Sequence, residues 1–219
     1  MRVLRSRKAL RTFGRACRPE TESRIRRFAQ ALIAAFLVCL GSSRPAGAKV
    51  FYSREELPKL AFPWAESVEP HDYILSPAQR KAIEAEAHAS LDSDILTVYV
   101  GRSAGAITGY ALIDTRTVRT LPETFLVVLD PGGAVSATHV LAFYEPLEYL
   151  PSSRWLEQLR GRRLSDHLKV GDEIAAITGS TLSSNAIVAG VRRAMAAYHV
   201  VIRCDSSLQE SGPATDCSK

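Results

Sequence analysis

Cysteine is scarce in this chain: four in 219 residues, at positions 17, 39, 204 and 217. None of them forms a C-x-x-C pair, and no Cys/His set has zinc-ligand spacing. That excludes a zinc module and a dithiol motif of those types. No serine or cysteine nucleophile is paired with a histidine in the sequence. His139 falls in the middle of a strand pattern, so no hydrolytic set is visible. His88, on a helix pattern, has no ligand at metal spacing, and His167 lies beside Asp166 in a basic loop; both read as surface residues. Internal repeats and low-complexity linkers are missing. Long apolar runs are nearly absent: the one charge-free run, 28–43, is shorter than the roughly 20 residues a spanning helix needs.

Basic charge is also lacking once the first 48 residues are set aside. Those 48 hold 11 Lys and Arg against 2 Asp and Glu, out of 28 and 23 in the whole chain. The remainder carries 17 basic and 21 acidic residues, a net charge of −4. The basic isoelectric point therefore belongs to the N-terminus, and no phosphate-tracking nucleic-acid surface is expected. A basic segment, a short apolar core and an A-x-A site ending at Ala48 describe an export signal, removed as residues 1–48. An uncleaved anchor is the other reading of the same stretch. Export places the domain in the periplasm or on the outer face of the cytoplasmic membrane. Cys204 and Cys217 would remain, and in an oxidising compartment such a pair either bridges the C-terminal tail, 201–219, or stays as two thiols.

What is present reads as one α+β domain, an antiparallel sheet flanked by helices. Residues 49–95 form an N-terminal helical segment. Ser53 and Glu56 make a capping-box pattern, and Ser76-Pro77 opens a helix carrying Ile83, Ala87 and Leu91. Phe62 and Trp64 read as core anchors beside a turn. From residue 96 to 200 the main domain follows. Strands are expected at 95–101, 106–114, 123–130 and 134–143, joined by short hairpin turns that imply antiparallel pairing. A crowded loop, Y-E-P-L-E-Y-L-P, leads into a helix, W-L-E-Q-L-R, that ends near Gly161.

The chain is organised around residues 177–198, I-T-G-S-T-L-S-S-N-A-I-V-A-G-V-R-R-A-M-A-A-Y. Thr178, Ser180, Thr181, Ser183 and Ser184 put five hydroxyls within seven residues, and Gly179 permits a tight path. Ile187, Val191, Met195 and Tyr198 then recur at helix spacing. Ser183 or Ser184 is the natural N-cap. Hydroxyls at a helix start either cap a core helix or receive an anion on its unpaired N–H groups.

The T-G-S-T-L-S-S segment followed by an apolar helix resembles the S/T-G-A-T-x-T/S segment of the FMN-binding domain family, which includes covalent-flavin subunits of Rnf and Na+-translocating quinone reductase complexes. The order of strand, E-x-x-x-Y loop, W-L-x-Q helix and hydroxyl segment is also similar, so the resemblance covers about residues 97–198. Ser180 stands where the family usually has Ala, and Ala175 where it usually has Asp. The resemblance implies FMN joined through its phosphate to Thr181, with Thr178, Gly179, Ser180, Leu182 and Ser183 around the phosphate. It also implies Glu145, Tyr149 and Trp155 as contacts for the ring or ribityl chain. It implies a membrane redox protein or quinone-linked electron-transfer complex as partner, and a flavin transferase for loading. A flavin-dependent reductase with its own substrate, and a flavin-free structural subunit of a redox complex, are the alternatives.

Overall fold

The β-branched runs fold as strands, and two polar runs join them. The computed structural model describes residues 49–208 and the isolated position 30. The expected signal peptide and Cys217 lie outside the described residues. The strands are β1 (Lys49–Val50), β2 (Ser67–Ile74), β3 (Ile95–Ser103), β4 (Ala106–Thr117), β5 (Pro122–Leu129) and β6 (Val135–Phe143). They form one antiparallel sheet in the order β1-β6-β5-β4-β3-β2. The four strands expected from sequence are β3 to β6, a meander at the centre of the sheet. Ala104 and Gly105, both with positive φ, make the two-residue turn between β3 and β4.

Four α-helices lie among the described residues: α1 (Leu57–Ala61), α2 (Pro77–Ala87), α3 (Ser153–Leu156) and α4 (Thr181–Val200). The α+β reading is borne out. Central strand β5, E-T-F-L-V-V-L, is apolar on both faces because both faces are covered. Phe125, Val127 and Leu129 join Ile187, Val191 and Met195 of α4 in the larger core. Leu126 and Val128 pack with Leu57 and Phe62 around α1 on the opposite face.

The 20-residue α4 is about 30 Å long, and it lies close to the sheet because of Gly190. A Cβ at Gly190 would fall 2.3 Å from the Phe125 ring and 2.8 Å from Asp114 Oδ2. Its two arginines are buried and do different work. Arg193 donates from Nε and Nη2 to Asp114 Oδ2 on β4, at 2.8 and 2.5 Å. Arg192 donates to the carbonyls of Ala87 at 2.7 Å, Glu86 at 3.0 Å and Leu168 at 3.3 Å, and to that of Ser165. It thereby satisfies the carbonyl end of α2, where His88 takes a left-handed conformation with φ 51°.

The structure departs from the sequence reading in several places. The segment before residue 95 holds edge strands β1 and β2 as well as helices. β2 contains Pro70, buries none of its residues and breaks its alternation at Glu69-Pro70, so it has little strand character of its own. Phe62 is a core anchor as expected, but Trp64 is 91% exposed because it sits on the turn after α1. His167 hydrogen-bonds Asp172 at 3.0 Å, whereas Asp166 pairs with His88 at 3.1 Å. The tail begins as core: Ile202 and Leu208 are buried, and Tyr73 on β2 donates to Asp205 at 2.8 Å. Cys204 is disulfide-bonded. No helix of the described residues is long and apolar enough to cross a membrane.

Candidate functional site

The hydroxyl segment sits at the start of α4, but one turn earlier than its serines suggest. The N-cap is Ser180, and the first helical bond runs from Ser184 N–H to Ser180 O at 2.9 Å. Ser183 and Ser184 are therefore inside the first turn, where they are buried. The Ser180 side chain makes no capping hydrogen bond. The N–H groups of residues 181–183 have no carbonyl within the helix to bond, as at any helix start. Their orientation and the helix dipole suit an anion there.

Three features shape this corner. Ile177 O accepts from Ser180 N–H and from Thr181 Oγ1, both at 3.3 Å, which closes a turn over Gly179. Gly179 has φ 89° and open space around it, so glycine is needed for the path and not for packing. Thr178, Gly179, Thr181 and Leu182 are exposed, while Ser180 and Ser183 face inward. The Thr181 hydroxyl thus stands at the surface beside unsatisfied donors.

The residues expected to contact a ring or ribityl chain hold the neighbouring backbone. Trp155 is buried in the core and donates from Nε1 to Ala175 O at 2.6 Å. Gln158 accepts from Ala175 N–H at 2.9 Å. Together they fix the strand of chain leading to Thr178. Glu145 is buried and accepts from the N–H groups of Arg119, Thr120 and Leu121, at 3.2, 2.9 and 3.0 Å. Those bonds, from Thr120 and Leu121 above all, hold its carboxyl below the usual range. The half-buried Tyr149 ring lies under the Arg119 guanidinium, 4.3 Å from its centre.

One residue was not singled out from sequence. Glu123 on β5 is fully buried, and neither carboxyl oxygen has a hydrogen-bond partner of normal geometry. Burial pushes its pKa up to about 8, with Glu145 adding to the rise and the nearby Ser183 hydroxyl opposing it. Glu123 therefore lies where the first turn of α4 and the Glu145 loop meet β5. The signal was legible in principle. Counting by twos from Leu129 through Val127 and Phe125 reaches Glu123 on the same inward face.

A separate cavity of about 270 Å3 lies between α4 and strands β3 and β4, with Asp114, Arg116 and Arg193 in its wall. It contains none of the hydroxyl segment. Among the described residues, no three His, Cys, Asp or Glu side chains gather for a metal.

Fold and site together define a class: an antiparallel α+β domain that offers hydroxyls and free N–H groups at one exposed helix start. No family model matches the chain. It is 28% identical over 163 residues, 66% of this chain and 71% of the relative, to a subunit of the Na+-translocating ferredoxin:NAD+ oxidoreductase complex of Acetobacterium woodii. The family resemblance drawn from the hydroxyl segment is borne out by that similarity, which extends well beyond the segment. Among solved structures, NqrC of Shewanella oneidensis is 16% identical, with a TM-score of 0.40, covering 67% of this chain and 83% of that one. That likeness is too slight to build on.

Proposed function

We propose that the chain is an exported flavoprotein that carries FMN on Thr181 and passes electrons between a membrane redox partner and another acceptor. The observation that carries the reading is the exposed Thr181 hydroxyl at a helix start whose N–H groups have no internal partner and whose N-cap side chain makes no capping bond. The kinship with a subunit of a ferredoxin:NAD+ oxidoreductase complex supports it.

The residues present fit a phosphate ester. Gly179 leaves open space where a side chain would crowd the phosphate. The N–H groups of 181–183 would receive its oxygens, and Thr178 and Ser180 would flank it. Leu182, 49% exposed in the first turn of α4, offers apolar surface of the kind a flavin ring prefers. Glu145, Tyr149 and Trp155 would act from behind, by holding the backbone that frames the site. Flavin supplies the redox chemistry when bound; the protein sets its attachment, orientation and electrostatic surroundings. A covalent tether suits an exported carrier, since a dissociating cofactor would be diluted away. Loading requires a flavin transferase that accepts Ser180 and Ala175 in the recognition segment.

The test is optical. Chain made with export and a co-expressed flavin transferase should be yellow, absorb at about 450 nm, bleach on reduction, and keep the colour with the polypeptide after denaturation. Colour lost on denaturation would leave a dissociable flavin. A colourless chain under those conditions would favour the flavin-free structural subunit.

A further inference from the structure

The cavity between α4 and strands β3 and β4 has an apolar body and a charged wall. Leu75, Leu91, Leu96, Leu112, Val127 and Ala194 make the body, all of them in or against the larger core. Asp92, Asp114, Arg116 and Arg193 supply the charges. Arg193 is spent on Asp114, whose Oδ2 accepts from both Nε and Nη2. Arg116 is only partly spent. It donates from Nη2 to the Ser90 carbonyl at 2.8 Å and pairs through Nη1 with Asp92 at 2.6 Å. Its Nε is buried without a hydrogen-bond partner; Asp114 Oδ1 stands 3.3 Å away, outside hydrogen-bond geometry. A buried donor with no acceptor is unfavourable, so this wall favours a ligand that brings one.

The charges give that acceptor its sign. Arg116 and Arg193 outnumber Asp114 by one, and the balancing acid, Asp92, stands on the solvent side. The Asp92 side chain is 69% exposed, against 18% for Arg116. An acid so exposed holds its partner weakly, because water and salt compete for it. Its loop does not depend on that pair. Arg80 holds the same stretch through Asp94 at 2.5 Å, and Glu84 accepts from Leu91 N–H at 2.8 Å.

We propose that this cavity binds a small monocarboxylic acid, with its apolar body among the leucines and its carboxylate on Arg116 in place of Asp92. An apolar cavity of about 150 Å3 holds one benzene ring. At about 270 Å3 this one takes a ring with a short chain. The planar guanidinium matches a carboxylate, and the single surplus positive charge matches one negative charge. A phosphate dianion would bring a second charge beside Asp114. Binding is non-covalent. The inference is independent of the FMN reading: the cavity includes none of residues 177–184, and its test uses no flavin.

The probe is 3-phenylpropanoate. It is compared with 3-phenylpropan-1-ol, which keeps the body, and with propanoate, which keeps the head. The full chain is titrated at pH 7, and binding is read from the backbone amide resonances of residues 91–93, 112–116 and 193–194. 3-Phenylpropanoate should shift them saturably, with a Kd of about 1 mM or tighter. The alcohol and propanoate should each bind at least about tenfold more weakly. Asp92→Asn removes the competing acid from an exposed position. It should tighten 3-phenylpropanoate about twofold to fivefold and leave the alcohol unchanged. Arg116→Gln should weaken the acid to the level of the alcohol. Arg116 also holds the loop at Ser90, so Asp92→Asn decides the matter where Arg116→Gln fails to fold. No saturable shift at those amides by about 10 mM would overturn the site. Equal affinity for acid and alcohol would overturn the pairing with Arg116, as would an Asp92→Asn variant that binds no tighter. Shifts centred on residues 177–184 instead would put the acid at the helix start and overturn the cavity as its site.

Discussion

Replacing Glu123 with glutamine should make the protein relatively more stable as the pH rises. The wild-type carboxyl has its pKa raised from 4.5 to about 8 by burial. A raised carboxyl pKa means that folding disfavours the ionised form. The penalty is absent below the unfolded value, grows as pH climbs from 4.5 towards 8, and is complete above it. At about 1.4 kcal/mol for each factor of ten, that gap corresponds to at most about 5 kcal/mol. Water entry and local relaxation would reduce it, so about 2–4 kcal/mol is the expected difference at pH 9. Glutamine cannot ionise, but it leaves a buried amide as poorly bonded as the neutral acid. The two proteins should therefore agree within about 1 kcal/mol at pH 5.5. At pH 9 Glu123→Gln should melt at least about 5 °C higher, given the slope usual for a domain of this size. Urea unfolding at the same two values gives the free energies directly. Other titrating groups, His139 among them, are common to both proteins and cancel in the difference. A stability gap that stays constant from pH 5.5 to 9 would refute the claim that Glu123 is an unpartnered buried acid.

Three further outcomes follow from the packing. Gly190→Ala puts a methyl 2.3 Å from Phe125, so thermal unfolding should report a loss of about 1–3 kcal/mol, with α4 pushed off the sheet. Glu145→Ala removes the acceptor of three N–H groups; hydrogen exchange of Arg119, Thr120 and Leu121 should quicken, and unchanged rates there would show that the turn stands without it. Trp155→Phe loses the bond to Ala175 O and should cost about 1–2 kcal/mol. It should also lower the yield of any cofactor loaded at the segment Trp155 anchors, and full loading would separate Trp155 from the site.

The parts of this fold that were readable in the sequence are those whose local pattern and tertiary role agree. Strands β3 to β6 carry β-branched runs and occupy the centre of the sheet. The buried face of α4 follows Ile187, Val191 and Met195 at helix spacing. β2 was hidden because an edge strand needs only one partner, and S-V-E-P-H-D-Y-I shows neither alternation nor β-branching enough to declare it. Trp64 misled because its size suggests burial, whereas the turn at its position sets its direction. The helix start was displaced because serine chemistry marks several candidate caps, and only backbone geometry chooses Ser180. At the site, the hydroxyls and glycine were legible as residue types. That Ser183 faces inward towards a buried acid depends on how α4 lies across β5, which no local pattern encodes. Glu145 and Trp155 were picked out as ring or ribityl contacts, and in the structure Glu145 bonds the 119–121 backbone and Trp155 bonds Ala175 O. A loop of aromatics and acids reads alike for either role until its hydrogen bonds are seen.

The most direct measurement is the intact mass of the exported protein, made with a flavin transferase, for wild type and Thr181→Ala side by side. Thr181 is exposed and its hydroxyl makes one long bond, to Ile177 O at 3.3 Å, so the variant should fold with nearly unchanged stability. The account predicts an added mass of about 438 Da, FMN less water, on wild type and none on Thr181→Ala. Wild type without that mass, or a variant that still carries it, would contradict attachment at Thr181.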